Sequence, residues 1–273
     1  MLDTIKIGIC EWSLPQYGPY ACRLAAELGL DGVQLEMSGH ERGYPLSKPV
    51  IQKGYLEVKE QTGLEYPSIA MRETDWVKMH TPEGSEDHQI IKTGIVKAVD
   101  AAKALGTPMV MIPTFVESEI KTEEDFNSAV GFIQFTCDYA EQNGIMVTLE
   151  NLLNAEEINR FLRAVDRDNV QLFFDSQNYF LNKGYSTPEL LDELMPIIWG
   201  LHVKDGKNGA LSGALLGRGD TGFYNTIDIL KKHNYEGWII LENYYDQEPL
   251  SLENEDPIAL IREDIEILKN ALR

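Results

Sequence analysis

Short apolar runs alternate with helix-spaced patterns along the whole chain. The runs at 6–12, 32–37, 65–70, 109–113, 146–150, 170–175, 198–205 and 237–242 are too short for helices and read as strands. Between them, apolar residues recur at helical intervals over 20–28, 50–62, 89–105, 122–142 and 155–165. The same pattern opens at Thr187, ends near His233 in the following unit, and opens again at Asp256. Local chemistry marks several boundaries. Gly29, Gly63 and Gly106 stand where helical patterns stop. Thr122 is followed by three acids, which suits the positive end of a helix dipole. Pro188 and Pro257 sit at first helical positions, where a missing N–H costs nothing.

Strands this short and this apolar fit a parallel sheet covered on both faces. Eight strand-then-helix units follow one another without a break in composition, and 273 residues is the size of one (β/α)8 barrel. The predicted fold is therefore α/β, a single TIM-barrel domain over residues 1–273. An open doubly wound sheet is the competing architecture. Its dinucleotide-binding form has no support, because no Gly-x-Gly-x-x-Gly follows the first strand. The long loop at 71–88 is expected to form a lid over the barrel mouth.

Barrels of this kind carry their chemistry at the C-terminal ends of the strands. The last four predicted strands end in, or next to, Glu150, Asp175, His202 and Glu242. Their spacings of 25, 27 and 40 residues match one unit per step, the last lengthened by a loop at 206–222 with six glycines. Three carboxylates and an imidazole make a hard, oxygen-rich donor set. One divalent metal ion is expected there, Mn2+ first, with Mg2+ or Co2+ as alternatives.

Charge narrows the function classes. Asp plus Glu number 44 against 24 Lys plus Arg, a formal net charge of −20. Such a surface repels phosphate backbones and anionic lipid, so neither nucleic acid nor membrane is an expected partner. The cysteines Cys10, Cys22 and Cys137 are odd in number and widely spaced, which suggests neither a disulfide framework nor a thiolate metal site. The first residues show no leader pattern, and the expected location is cytoplasmic.

The order and spacing of several segments resemble the xylose-isomerase-like TIM barrels. The segments are Thr148-Leu149-Glu150-Asn151, the strand ending at Asp175, Leu201-His202-Val203-Lys204-Asp205, Leu216-Gly217-Arg218-Gly219-Asp220 and Tyr235-Glu236-Gly237-Trp238 through Glu242. The helical stretch Ala101-Ala102-Lys103-Ala104-Leu105-Gly106 before the fourth strand is similar as well. That family includes ketose 3-epimerases, hydroxypyruvate isomerases, inosose dehydratases and the endonuclease IV branch. The resemblance implies a divalent ion held by Glu150, Asp175, His202 and Glu242. It also implies that Glu150 and Glu242 work as acid and base on opposite faces of a ketose, through a metal-stabilised cis-enediolate. Glu156 matches an acid that contacts substrate in the epimerase branch.

Two departures bear on the substrate. Epimerases of the family usually carry a histidine where this chain has Asn178, and the arginine common after the strand-seven histidine is absent. Lys207 and Arg218 are the cations nearest that position, and Lys204 and Lys207 read either as contacts for a phosphorylated or carboxylated sugar or as ordinary surface charges. Trp12, Trp76 and Tyr244 are candidate walls for a sugar ring. The expected activity is that of a metal-dependent sugar or sugar-phosphate isomerase or epimerase, on a small-molecule partner, in a chain that can form a homo-oligomer. An inosose-dehydratase-type lyase shares the first proton abstraction. A DNA-repair endonuclease needs more strand-end histidines and a basic face, and the paired glutamates argue against a non-catalytic sugar-binding barrel, although they would also serve a metal-bound sensor.

Overall fold

Eight parallel strands pair in the order β1 to β8 and close on themselves in the computed structural model, which describes residues 4–273. The strands are β1 (Ile5–Cys10), β2 (Gly32–Glu36), β3 (Ile69–Ala70), β4 (Met109–Pro113), β5 (Met146–Glu150), β6 (Val170–Asp175), β7 (Ile198–Val203) and β8 (Gly237–Leu241). The helices are α1 (Pro19–Glu27), α2 (Pro49–Thr62), α3 (Glu86–Leu105), α4 (Glu123–Glu141), α5 (Ala155–Val165), α6 (Asn178–Lys183), α7 (Thr187–Leu194), α8 (Phe223–Lys232) and α9 (Pro257–Leu272). The predicted (β/α)8 barrel is the observed fold.

The chain packs as two compact units, with β2 and β6 contributing to both. One unit runs to Gln34 and takes in Gln61–Glu65 and Phe173–Arg273. In it β1 pairs with β2 from Gly8↔Gly32 and with β8 from Ile5↔Gly237, and β7 pairs with β8 from Gly200↔Trp238. Ile7, Ile9, Leu201, Val203, Ile239 and Ile240 are buried there. The other unit comprises Leu35–Glu60 and Tyr66–Leu172. In it β4 pairs with β5 from Met109↔Met146, and β5 with β6 from Val147↔Val170. Ile69, Val110, Ile112, Val147 and Leu149 are buried there.

Element ends follow their local chemistry. Thr122 and Asp125 form a reciprocal capping box at the start of α4, and Asn154 with Glu157 forms one at the start of α5. Ser85 caps α3 by accepting the His88 N–H, so the helix begins at Glu86, ahead of the predicted 89. β3 is shorter than predicted. Glu65 bridges to Gly32, but Pro67 offers no N–H, and the ladder resumes at Ile69. The loop expected to be a lid is tethered within its own unit. Arg72–Asp75 forms a short 3-10 turn, and the Met79 N–H donates to Ser118 Oγ, whose hydroxyl faces the Thr74 carbonyl. Among the described residues no helix is long and apolar enough to cross a membrane.

Candidate active site

β6, β7 and β8 deliver Asp175, His202 and Glu242 from neighbouring positions in the barrel order. Asp175 is the last residue of β6, His202 lies one residue before the end of β7, and Glu242 follows β8 directly. Each is held by its own surroundings. Asp175 Oδ1 accepts the backbone N–H groups of Gln177 and Asn178 at 2.7 and 2.6 Å, where α6 begins. Its second oxygen lies 3.8 Å from His202 Nδ1. The His202 ring is fully buried, with Nε2 at 2.6 Å from Gln34 Oε1 and Nδ1 at 3.3 Å from Glu242 Oε2. A neutral ring that donates through Nε2 to Gln34 keeps the Nδ1 lone pair for the carboxylate side. Trp12 donates its indole N–H to Glu242 Oε1 at 3.1 Å and stands edge-on to the His202 ring.

Lys204 joins this group. Its ammonium is buried, 2.8 Å from Asp175 Oδ2 and 2.5 Å from Glu242 Oε2. Ser176 locks the lysine backbone, donating to its carbonyl and accepting its N–H. Burial pushes the Glu242 carboxyl up, but the His202 imidazole when protonated and the Lys204 ammonium beside it outweigh burial and hold it well below the usual carboxylate range.

Glu150 ends β5 and is buried, its carbonyl accepting the Thr114 N–H at 2.8 Å. One ligand atom from each of Glu150, Asp175, His202 and Glu242 lies within 4.8 Å of the others. The sequence-predicted ligand set is thus brought together. Its chemistry fits a divalent ion. Three carboxylates and one imidazole, all buried, offer the hard, oxygen-rich donors that a divalent ion takes.

Of the other expected contacts, Trp12 and Lys204 join the cluster directly, and Asn178 contributes through its backbone. Glu156, Lys207 and Arg218 face solvent instead. Glu156 lies on the first turn of α5, Lys207 in the glycine-rich loop, and Arg218 pairs with Glu263 on α9. Trp76 is exposed, with the Arg72 guanidinium over its ring, and Tyr244 is half-buried just past Glu242.

The description of the xylose isomerase-like TIM barrel family matches residues 22–271. The chain belongs to that family. This xylose isomerase-like barrel is 26% identical over 230 residues to a 2-epi-5-epi-valiolone 7-phosphate 2-epimerase of Actinoplanes sp., covering 84% of the chain and 83% of that protein. It is 26% identical over 152 residues to an inosose dehydratase of Glaesserella parasuis, covering 47% of the chain and 51% of that protein. A D-allulose 3-epimerase from Methylomonas sp. shares the fold with a TM-score of 0.77 at 18% identity, over 98% of both chains.

Two features of this xylose isomerase-like barrel escaped the sequence reading. Gln34 is one, and its signal was a polar residue in the otherwise apolar Val33-Gln34-Leu35. The other is the network behind Glu242. Asn243 accepts the Asp205 N–H and donates to Asp264 on α9, which also accepts from the Leu216 N–H and the Tyr245 hydroxyl. The Asp205 carboxylate in turn receives the N–H groups of Gly206, Gly217 and Gly219 and the Thr221 hydroxyl. A Cβ on Gly219 would run into that carboxylate.

Proposed function

We propose that this barrel is a divalent-metal-dependent epimerase or isomerase of a sugar, cyclitol or sugar phosphate. The observation that carries the reading is the buried cluster of Glu150, Asp175, His202 and Glu242 at successive strand ends. The relatives named for epimerisation of a cyclitol phosphate and dehydration of an inosose support the substrate class. A divalent ion, when bound, supplies Lewis-acid stabilisation of the oxyanion that develops beside an abstracted proton. Mn2+ is the first choice for this donor set, and Mg2+ or Co2+ are alternatives.

The chain's own groups account for the proton steps. Glu150 or Glu242 removes a proton from the carbon next to the carbonyl, and the other returns one on the opposite face of the enediolate. Glu242 is ionised beside the Lys204 ammonium, and Trp12 fixes its second oxygen. Glu150, Asp175, His202 and Glu242 would hold the ion, and Gln34 orients His202. Asn178 and Lys204 are the proposed substrate contacts nearest these groups. We place the protein in the cytoplasm, acting as one domain over residues 1–273.

A lyase of the inosose-dehydratase type is the second reading, supported by the dehydratase relative and by the Lys204 ammonium against Glu242. Asp205 adds nothing to it, since its carboxylate is committed to the glycine-rich loop.

Solvent-deuterium exchange tests the function. The Mn2+-loaded protein is incubated in D2O with ketoses, ketose phosphates and inososes and followed by NMR. Exchange next to the carbonyl is expected in the wild type and lost in Glu150→Gln and Glu242→Gln, and the product separates epimer from dehydrated ketone. Exchange that survives both substitutions removes these glutamates from the mechanism.

A further inference from the structure

A second set of polar side chains lies in the unit that carries β3 to β5. The chain leaves β2 at Glu36 and turns at His40–Arg42, and it leaves β3 at Ala70 and turns at Arg72–Asp75. A cavity of about 330 Å3 there is lined by Glu36, Ser38, His40, Arg42, Glu73 and Trp76, among others. It lies beyond the C-terminal ends of two strands, the end at which this class of barrel takes substrate. Its volume falls within the range of small-molecule sites, roughly 300–1,000 Å3.

The side chains of this cavity are fixed in place. Glu73 is buried, with Oε2 accepting the His40 backbone N–H at 2.7 Å and Oε1 at 2.7 Å from His40 Nδ1. The carboxylate therefore holds the Nδ1 proton and directs Nε2 away from itself. A side chain on Gly39 would crowd this arrangement, since a Cβ there would stand 3.1 Å from Glu73 Oε1. Trp76 is 58% exposed although it lines the cavity. An indole left in water beside a polar cavity is a ready platform for a ring with an apolar face.

We propose that this cavity is a binding subsite for a neutral polyhydroxylated ring, a pyranoside or a cyclitol, seated on Trp76 with its hydroxyls on His40, Glu36 and Arg42. The inference rests on the proposed sugar chemistry and narrows its substrate class. Hydroxyls both donate and accept, and so match a lining that mixes carboxylate, imidazole and guanidinium. An apolar ligand would strip water from those charges and return nothing. A phosphate is disfavoured by the count of charges. Glu36, Glu41, Glu73 and Asp75 outnumber Arg42, His40 and Arg72, which pairs with Glu36 and Asp75 and lies over one side of the Trp76 ring, even with the imidazole protonated, in a chain of net charge −20.

Saturation-transfer NMR titrations of the Mn2+-loaded protein test it with methyl α-D-glucopyranoside, myo-inositol and glucose 6-phosphate as probes. At least one neutral probe is expected to bind saturably, with affinity falling about tenfold in Trp76→Ala and largely kept in Trp76→Tyr. Glucose 6-phosphate is expected to bind no more tightly than the neutral probe. The subsite is overturned if no neutral probe binds, if Trp76→Ala leaves its affinity unchanged, or if the phosphate is preferred and lost in Trp76→Ala. Mn2+ binding, read in the same samples, is expected to be unchanged in both Trp76 variants. A failure of the metal reading therefore shows in that signal and not in the titration.

Discussion

Gln34 decides which nitrogen His202 presents to a metal. Its Oε1 lies 2.6 Å from Nε2, so the neutral ring carries its proton there and keeps Nδ1 for coordination. Gln34→Leu fills the same space without the acceptor, and Mn2+ affinity measured by calorimetry is expected to fall about 10- to 100-fold. Unchanged affinity would show that the tautomer is set elsewhere. Trp12 holds the partner on the other side, with its N–H on Glu242 Oε1. Trp12→Phe keeps most of the apolar wall and removes that donor. Hydrogen bonds to charged groups contribute about 1.5–3 kcal/mol, so kcat is expected to drop about tenfold or more with KM little changed. A rise in KM alone would make Trp12 a substrate wall instead.

Among the elements, the glycine-rich loop at 206–222 depends on one side chain more than on its sequence pattern. Asp205 is fully buried, and its carboxylate collects N–H groups from Gly206, Gly217 and Gly219 and the Thr221 hydroxyl. Asp205→Ala strands those donors, and chemical denaturation is expected to report a loss of about 3 kcal/mol or more, with new proteolytic cleavage inside 206–222. Removing an exposed cap such as Thr122 costs only about 1 kcal/mol and leaves the loop resistant. A comparable small loss for both variants would mean that Asp205 does not anchor the loop. The capping acids after Thr122 were readable because capping is local. Asp205 was not, because its donors come from residues up to 16 positions away. The same limit explains β3, where apolar residues marked the strand and Pro67 cut its ladder, and α6, which begins on N–H groups held by Asp175.

Across the whole molecule, the barrel was legible because each strand had to be apolar on both faces and each unit repeated that demand. The candidate metal ligands were legible because strand ends in this architecture converge by topology alone. What remained hidden was side-chain direction. Lys204 reads as a surface or substrate-binding cation and proves to be buried against Asp175 and Glu242, while Arg218 turns outward to Glu263. Asp264 shows the same limit, as an acid on the apolar face of α9. Burial pushes its carboxyl up, the Asn243, Leu216 and Tyr245 donors pull it partly back, and it stands at about 7. The folded chain therefore binds that proton more tightly than the unfolded chain does. Its contribution to stability is present in full below about pH 4 and is lost as pH rises through about 7. Melting temperatures are expected to fall over that window, and Asp264→Asn is expected to flatten the profile. An equally steep profile in the variant would assign the pH dependence to other groups.

The central claim is that four strand-end side chains make one divalent metal centre. Electron paramagnetic resonance titration with Mn2+ reads it directly. The account predicts about one tightly held ion per chain in the wild type, with that signal abolished in Asp175→Ala and in His202→Ala while both variants stay folded. Absence of tight Mn2+ binding in the wild type, or a signal that persists in both variants, would contradict it.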